Sequence, residues 1–356
     1  MSYVYSLKKK KNPIQYTLTN LQSTMADSID PNFHQKPLLV INRIPSFKFR
    51  FDHRLTPTFT IVDPITAVGT DSSAAHTFLR HNAAAARAVL CIGPSPLIKD
   101  TLDCLPSLEC VVAHSVGYDH IDLSECRRRG ISVANVGDAF SDDVADCAVG
   151  LLIDVLRKVS AAHRFVRAGS WPEQVAFPLG SRLGGKRVGI VGLGSIGSRV
   201  VKRLIPLGCS IAYTSRQKKP SVSFPYYAYV YDLALDCDIL ILCCSLTNQT
   251  RHMINEDVLN ALGKEGVVIN IGRGDLIDEK ELVQFLVDGR IRGAGLDVFQ
   301  NEPYVPKELF SLDNVVLSPH QAVLTPDSFM AAEDISVANL EAFFSNKPLV
   351  SPISWD

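Results

Sequence analysis

The chain has 356 residues, a formal net charge of −1 and a hydrophobic fraction of 46%. At roughly 100–200 residues per domain, this length predicts about two domains, each with enough apolar residues for a core. The balanced charge argues against broad binding to nucleic acid or to an anionic membrane surface.

Cysteine usage and the N-terminal segment bear on the compartment. Nine cysteines without a CxxC motif or a paired Cys/His spacing predict buried, reduced thiols in an intracellular protein and no metal site. Residues 1–36 contain four consecutive lysines but no apolar core of a secretory signal. We expect a disordered N-terminal extension and a cytoplasmic protein, with an organellar transit peptide in residues 1–35 as the alternative. No apolar run approaches the roughly 20 residues of a membrane span.

The first region of regular structure has five short apolar runs, KPLLVIN, TFTIVD, RAVLCIG, LECVVAHSV and ISVANV. Helical or turn stretches lie between them, for example at 72–82 and 124–130. This alternation predicts parallel βαβ units. A long helical pattern follows at 141–168, with Ser141 as the N-cap and acidic residues in the first turn. We interpret it as a helix that links two domains.

The second region contains the runs KRVGIVGLGSIG, CSIAYTS, CDILILCC, GVVINIG, GAGLDVF and NVVLSPH. The pattern is typical of a doubly wound parallel sheet. A final helix begins near Thr325-Pro326, and its apolar positions favour packing onto the first domain. We therefore expect an α/β protein with two doubly wound Rossmann-like domains and a cleft between them. Residues 37–140 and 323–356 would form the substrate-binding domain, and residues 141–322 the dinucleotide-binding domain.

The segment RVGIVGLGSIGSRVVKRL combines an apolar strand, a GxGxxG turn and an amphipathic helix. In such a turn Gly192 permits the tight bend and Gly194 lets the backbone approach a pyrophosphate. Gly197 lets the helix pack closely on the strand. The segment predicts dinucleotide binding.

The stretch IAYTSRQKK, residues 211–219, ends the next strand, where NAD-binding sheets usually carry an acidic residue that binds the ribose. Here Ser215 can donate to a phosphate oxygen, Arg216 can pair with it through two N–H bonds, and Lys218 adds charge. The stretch therefore predicts NADP(H). A solvated basic loop without a ligand is the alternative.

Three charged side chains follow later strands of the second region: Arg273 in NIGRGDLID, Glu302 in GLDVFQNEP and His320 in NVVLSPHQA. Because ligands of open α/β sheets bind beyond the carboxyl ends of the strands, we expect the three to meet there. Reduction of a 2-keto acid needs a cation for the carboxylate and the ketone oxygen, which suits Arg273. It also needs a proton donor, which suits His320. Glu302 would orient the imidazole and favour its protonated form.

In this order the motifs resemble the D-isomer-specific 2-hydroxyacid dehydrogenases, from about Pro37 to the C-terminus. The resemblance implies an active site in the cleft, a homodimer held by the nucleotide domains, and Arg273, Glu302 and His320 as the catalytic set. In HSVGYDHID it implies that the backbone N–H groups of Val116 and Gly117 hold the substrate carboxylate together with Arg273. An ordinary turn that needs Gly117 for its conformation is the alternative.

Further parts of the resemblance concern the cofactor. CIGPSPL looks like a second loop of the cleft, CSLTNQT resembles the adenosine-side loop, and Asp297 resembles the acid that accepts from the nicotinamide carboxamide. The cofactor-binding residues expected in all are Gly192, Gly194, Ser195, Ile196, Gly197, Ser215, Arg216, Lys218, Ser245, Thr250, Ile271, Arg273, Asp297 and His320.

Within the family, the segments around the basic loop and the linker look most like plant glyoxylate/hydroxypyruvate reductases and, next to these, hydroxyphenylpyruvate reductase. The implied reaction is NADPH-dependent reduction of hydroxypyruvate to D-glycerate and of glyoxylate to glycolate. A nucleotide-sensing corepressor that binds peptides is the non-catalytic alternative. One departure is the segment Gln321–Leu324, which predicts a bulkier and more apolar pocket wall than the family commonly has.

Overall fold

The computed structural model describes residues 36–173 and 176–353. The N-terminal extension expected for 1–36 lies outside these residues except for Lys36, and so do residues 354–356 of the expected first domain. Within the described part, no helix has both the length and the apolar character that crossing a membrane requires.

The first sheet has five strands. They are β1 Leu38–Arg43, β2 Thr60–Val62, β3 Ala88–Ile92, β4 Cys110–His114 and β5 Ser132–Ala134, and the helices among them are α1 Asp52–Leu55, α2 Pro64–Val68, α3 Ser72–Asn82, α4 Lys99–Leu102 and α5 Leu123–Arg128. All strands are parallel and follow the order β2-β1-β3-β4-β5. Every residue of β3 and β4 is buried, as expected for parallel strands covered on both faces.

Two helices, α6 Ser141–Arg157 and α7 Val159–Arg167, lead to the second sheet. Its strands are β6 Arg187–Val191, β7 Ser210–Thr214, β8 Tyr226–Tyr227, β9 Ile239–Leu242, β10 Val267–Asn270, β11 Gly293–Leu296 and β12 Val315–Leu317, with helices α8 Ser195–Leu204, α9 Val230–Asp236, α10 Glu256–Leu262 and α11 Glu279–Val287. A last helix, α12, spans Pro326–Phe344.

The second sheet is also wholly parallel, in the order β12-β11-β10-β9-β6-β7-β8. The chain runs from β6 outward through β7 and β8, then returns to the other side of β6 to form β9 and the following strands. Connections on opposite sides of β6 and β9 leave a crevice at their carboxyl ends, where doubly wound sheets bind ligands. The predicted fold class, with two parallel α/β sheets, is confirmed.

The predicted linking helix is correct in position but wrong in two details. It is broken at Lys158, which adopts a left-handed conformation with φ 56°. The carboxylate of Asp154 accepts from the backbone N–H and the hydroxyl of Ser160. It thus provides an acceptor for one of the first N–H groups of α7, which lack partners within that helix. The N-cap is Phe140 and not Ser141. The hydroxyl of Ser141 lies 3.1 Å from that of Ser195.

The start and the packing of the last helix are as predicted. Thr325 is the N-cap of α12, and its hydroxyl oxygen accepts from the backbone N–H of Ser328 at 3.1 Å. Val337 and Leu340 join the cluster that contains Leu39 and Ile41 of β1. The end of the chain therefore packs onto the first sheet.

Candidate active site

The GxGxxG turn lies at the crevice between β6 and β9. Gly192 has φ 96°, and a Cβ there would lie 2.6 Å from the backbone nitrogen of Cys244, which follows β9. Only glycine allows this approach of two chain segments. Gly194 immediately precedes α8, and Gly197 lies in its first turn. The first N–H groups of α8 lack partners within the helix and therefore fit a pyrophosphate.

The basic loop, residues 215–219, follows β7 at the same edge of the sheet. Arg216 and Lys218 are exposed and Ser215 is half-buried. The Ser215 hydroxyl donates to the backbone oxygen of Gln217 at 2.6 Å, so it would have to rotate to donate to a phosphate. Three cationic side chains without an acid in the loop form a site suited to a phosphate on the ribose.

His320 and Glu302 lie in direct contact. Nδ1 of the imidazole is 2.8 Å from one carboxylate oxygen of Glu302, and the other oxygen accepts from the backbone N–H of Phe299 at 3.1 Å. Because an ionised carboxylate only accepts, Nδ1 carries the proton. Nε2 is then the ring atom that can exchange a proton with a ligand. The His320 side chain is 42% exposed, which leaves room for one.

The charge state of Glu302 follows from its surroundings. Burial raises the pKa of this carboxyl, but the hydrogen bond and charge of His320, the Phe299 N–H and the charge of Arg273 outweigh it. The pKa of Glu302 therefore lies below its ordinary value. At neutral pH the carboxylate of Glu302 is therefore ionised and accepts the hydrogen bond from the imidazole.

Asp297 holds the segment that carries His320. Its side chain is 1% exposed and accepts from the Ser318 hydroxyl and from the backbone N–H groups of Gln321 and Ala322, at 2.9 and 3.0 Å. The backbone oxygen of Asp297 also accepts from the His320 N–H at 2.8 Å. Three charge-assisted bonds thus fix the residues on both sides of His320. The sequence predicted only a nicotinamide contact for Asp297, and this anchoring role was missed.

Arg273 meets the loop that follows β4. Its Nε donates to Asp119 at 3.1 Å and its Nη1 to the backbone oxygen of Gly272 at 2.8 Å. Gly117 does not have a positive φ, but a Cβ there would lie 1.7 Å from Nη2 of Arg273. The guanidinium thus closely approaches Gly117, which does not adopt a left-handed conformation.

The other expected cofactor residues lie around the same crevice. Ser195 is the first residue of α8, and its hydroxyl accepts from Arg199 at 2.6 Å. Ile196 and Ile271 pack at the core cluster beneath the crevice. The Ser245 backbone oxygen accepts from the Thr250 hydroxyl at 2.8 Å, so the two residues form one compact turn after β9.

Comparison with known proteins reveals the family. The model of the D-isomer-specific 2-hydroxyacid dehydrogenase NAD-binding domain matches residues 149–322. Glyoxylate/hydroxypyruvate reductase HPR3 of Arabidopsis thaliana is 55% identical over 332 residues, which are 93% of this chain and 100% of that protein. The chain belongs to the D-isomer-specific 2-hydroxyacid dehydrogenases. The family prediction made from the motifs is thereby confirmed.

Two further relatives of this dehydrogenase are informative. Hydroxyphenylpyruvate reductase of Plectranthus scutellarioides is 47% identical over 276 residues, 78% of this chain and 88% of that protein. The crystal structure of the NADPH-dependent glyoxylate/hydroxypyruvate reductase of Sinorhizobium meliloti, in complex with NADP and malonate, superposes with a TM-score of 0.80 at 36% identity. The superposition covers 90% of this chain and 97% of the Sinorhizobium meliloti chain.

Two asparagines that shape the dehydrogenase site were not predicted from the sequence. Asn270, 1% exposed at the end of β10, donates to the backbone oxygen of Arg273 and accepts from the N–H of Gly272. Asn135, after β5, also bridges two backbone groups: it donates to the Val116 backbone oxygen at 2.9 Å and accepts from the N–H of Gly137. Both are single amides directly at the end of an apolar run, which is the signal that could have identified them.

The apolar wall expected at 321–324 is smaller than predicted. Ala322 is buried and Val323 packs against the core cluster, whereas Leu324 is 56% exposed. Leu324 is therefore the residue of this segment that offers the largest apolar surface to solvent or to a ligand.

Proposed function

We propose that this dehydrogenase reduces hydroxypyruvate to D-glycerate and glyoxylate to glycolate with NADPH. The observation that carries the proposal is the 2.8 Å contact between His320 Nδ1 and Glu302 at the strand ends that also present Arg273. Such a pair fixes the imidazole through Nδ1 and leaves Nε2 for the substrate, as a general acid requires. The 55% identity to a plant protein named glyoxylate/hydroxypyruvate reductase supports the substrate class.

Each side chain has one role in this proposal. NADPH, held by the turn at Gly192 and Gly194 and by the basic loop, would supply the hydride for the carbonyl carbon. His320 donates the Nε2 proton to the carbonyl oxygen, so the carbonyl group gains one hydride and one proton and becomes the alcohol. Glu302 stabilises the imidazolium through Nδ1. Arg273 pairs with the substrate carboxylate, and the backbone N–H groups of Val116 and Gly117 complete its binding.

The proposed cofactor site uses the helix start and the basic loop. Gly192, Gly194 and Gly197 shape the turn, and Ser195 and Ile196 present the first N–H groups of α8. Ser215, Arg216 and Lys218 receive the 2′-phosphate. The remaining contacts are proposed for Ser245, Thr250, Ile271, Arg273, Asp297 and His320.

Initial rates with hydroxypyruvate, glyoxylate and 4-hydroxyphenylpyruvate, each with NADPH and with NADH, test the function. We expect the two small keto acids to be turned over, with NADPH preferred. Absence of turnover with all three would contradict the proposal, and capture of peptides instead would indicate a corepressor.

Hydroxyphenylpyruvate reduction is the second candidate. The exposed Leu324 and the 47% identity to hydroxyphenylpyruvate reductase favour it. In that case 4-hydroxyphenylpyruvate should have the highest kcat/KM, and Leu324→Ala should lower kcat/KM for this substrate alone by roughly tenfold, the usual effect of losing a few methylene contacts.

We also propose that the two domains comprise residues 37–140 with 323–356, and residues 141–322. The packing of α12 on β4 and of α6 on α8 supports this division. A homodimer is proposed because α7 and the residues after it expose Val159, Val166, Trp171 and Leu179, by 53 to 91%. Light scattering of the full chain should give twice the 39.0 kDa chain mass, and a monomer would contradict the proposal.

A cytoplasmic location is proposed because all nine cysteines are free thiols, which suits a reducing compartment. The full chain with a fluorescent protein at its C-terminus should fill the cytoplasm. Import into an organelle would contradict this location and favour a transit peptide in residues 1–35.

A further inference from the structure

Two tyrosines lie beneath the basic loop, one on each neighbouring strand. Tyr213 is 0% exposed in β7, and its phenolic oxygen accepts from the backbone N–H of Lys219 at 2.8 Å. Tyr226 in β8 donates its hydroxyl to the backbone oxygen of Ser215 at 3.3 Å. Their ring centroids are 5.4 Å apart. The two phenols therefore hold the first and the last residue of the loop 215–219.

The residues between these two points lie at the surface. Arg216, Gln217 and Lys218 are exposed, whereas Ser215 and Lys219 are half-buried. The loop is thus exposed and cationic, and the two tyrosine hydroxyls fix both of its ends. A flexible cationic loop would lose conformational freedom when it closed on an anion, which weakens binding. Fixing the ends reduces that loss.

The hydroxyl groups, and not the rings, are the parts that the fold does not otherwise need. A phenylalanine at 213 would fill the same core space beside Ile190 and Ile211, but it would leave the Lys219 N–H without its acceptor. The buried hydroxyl of Tyr213 therefore has its use in the loop that follows.

We propose that Tyr213 and Tyr226 are positioning residues for cofactor selectivity: their hydroxyls hold the basic loop in the shape that receives the adenosine 2′-phosphate. The proposal rests on the NADPH function proposed above. NADH has no phosphate at this place, so its binding gains nothing from the fixed loop. Loss of the hydroxyls should therefore weaken NADPH selectively.

The test compares Tyr213→Phe with the matched control Tyr227→Phe. Tyr227 lies next to Tyr226 on β8, but its hydroxyl donates to Asp236, outside the loop. Dissociation constants for NADPH and NADH are measured by the fluorescence of the bound cofactor on the full chain. For Tyr213→Phe we expect the constant for NADPH to rise roughly 3- to 10-fold, the size of one net hydrogen bond, and that for NADH to change less than twofold. Tyr226→Phe should act in the same direction, and Tyr227→Phe should change neither.

A double variant separates positioning from a general loss of structure. In the Arg216→Ala background the phosphate contact is already reduced, so adding Tyr213→Phe should weaken NADPH by less than it does in the parent chain. If Tyr213→Phe weakens both cofactors equally, or weakens neither, the positioning role is wrong. The NADPH function itself still stands if Arg216→Ala weakens NADPH selectively. If Arg216→Ala also fails to discriminate, both proposals are wrong.

Discussion

The segment that carries His320 and the segment that carries Arg216 lie at the same edge of one sheet but are held by different contacts. Around His320 a carboxylate buried to 1% exposure, Asp297, accepts three charge-assisted hydrogen bonds. Around Arg216 two phenols hold the ends of an exposed loop. The difference indicates that the segment proposed for proton transfer is fixed by the core, whereas the loop proposed for cofactor selection is built at the surface.

The largest effect should come from the segment around His320 that Asp297 holds. His320→Ala removes the proposed general acid and should lower kcat for hydroxypyruvate by roughly 10²–10⁴-fold with either cofactor. Steady-state rates at saturating keto acid measure this. His81→Ala, on the exposed end of α3, is the control and should leave kcat unchanged. A His320→Ala protein with a near-normal rate would contradict the catalytic assignment.

Asp297→Asn tests the anchor itself. The amide places an NH₂ group against N–H and O–H donors, so at least one buried donor loses its acceptor. We expect the free energy of unfolding to fall by about 1–3 kcal/mol. A displaced His320 should lower kcat by up to ~10²-fold with both cofactors. Urea unfolding and steady-state rates measure the two effects. A change in the NADPH to NADH preference, without a loss of kcat, would place Asp297 in cofactor selection instead.

Arg216→Ala tests the surface loop. Loss of a charge-assisted contact to the 2′-phosphate should raise KM for NADPH about 10-fold, at the lower end of the usual range because the loop is solvated. KM for NADH and kcat with either cofactor should change less than twofold. Equal changes in KM for both cofactors would contradict the assignment of the loop.

The smallest effect concerns stability and pH. Because the pKa of Glu302 is lower in the folded protein, the carboxylate contributes stability that is present above its unfolded pKa of about 4.3 and is lost as the pH falls through the folded value. Glu302→Gln should therefore lower the free energy of unfolding at pH 7 by no more than about 1 kcal/mol, since the side chain is 37% exposed. Thermal unfolding between pH 7 and 3 should show this gap closing in acid. A gap that widens in acid would contradict the sign of the shift.

Part of this architecture could be predicted from the sequence, and part could not. Eleven of the twelve strands in the described residues, the GxGxxG turn and the last helix follow from local patterns and were predicted within a few residues, whereas the two-residue strand β8 was missed. The break at Lys158 was missed because the sequence pattern does not show that Asp154 accepts hydrogen bonds from Ser160. The same holds for Asp297 and Asn270, whose partners come from segments that only the folded sheet brings together. Gly117 shows the limit most clearly, since the arginine that approaches it lies 156 positions further along the chain.

The most direct test is the ratio of kcat/KM for NADPH to that for NADH, measured with hydroxypyruvate in the parent protein, in His320→Ala and in Arg216→Ala. We predict a parent ratio well above one, the same ratio in His320→Ala at a much lower rate, and a ratio reduced about 10-fold in Arg216→Ala at an unchanged kcat. A ratio that collapses in His320→Ala, or one that survives in Arg216→Ala, would contradict the division between an anchored catalytic segment and a selective surface loop.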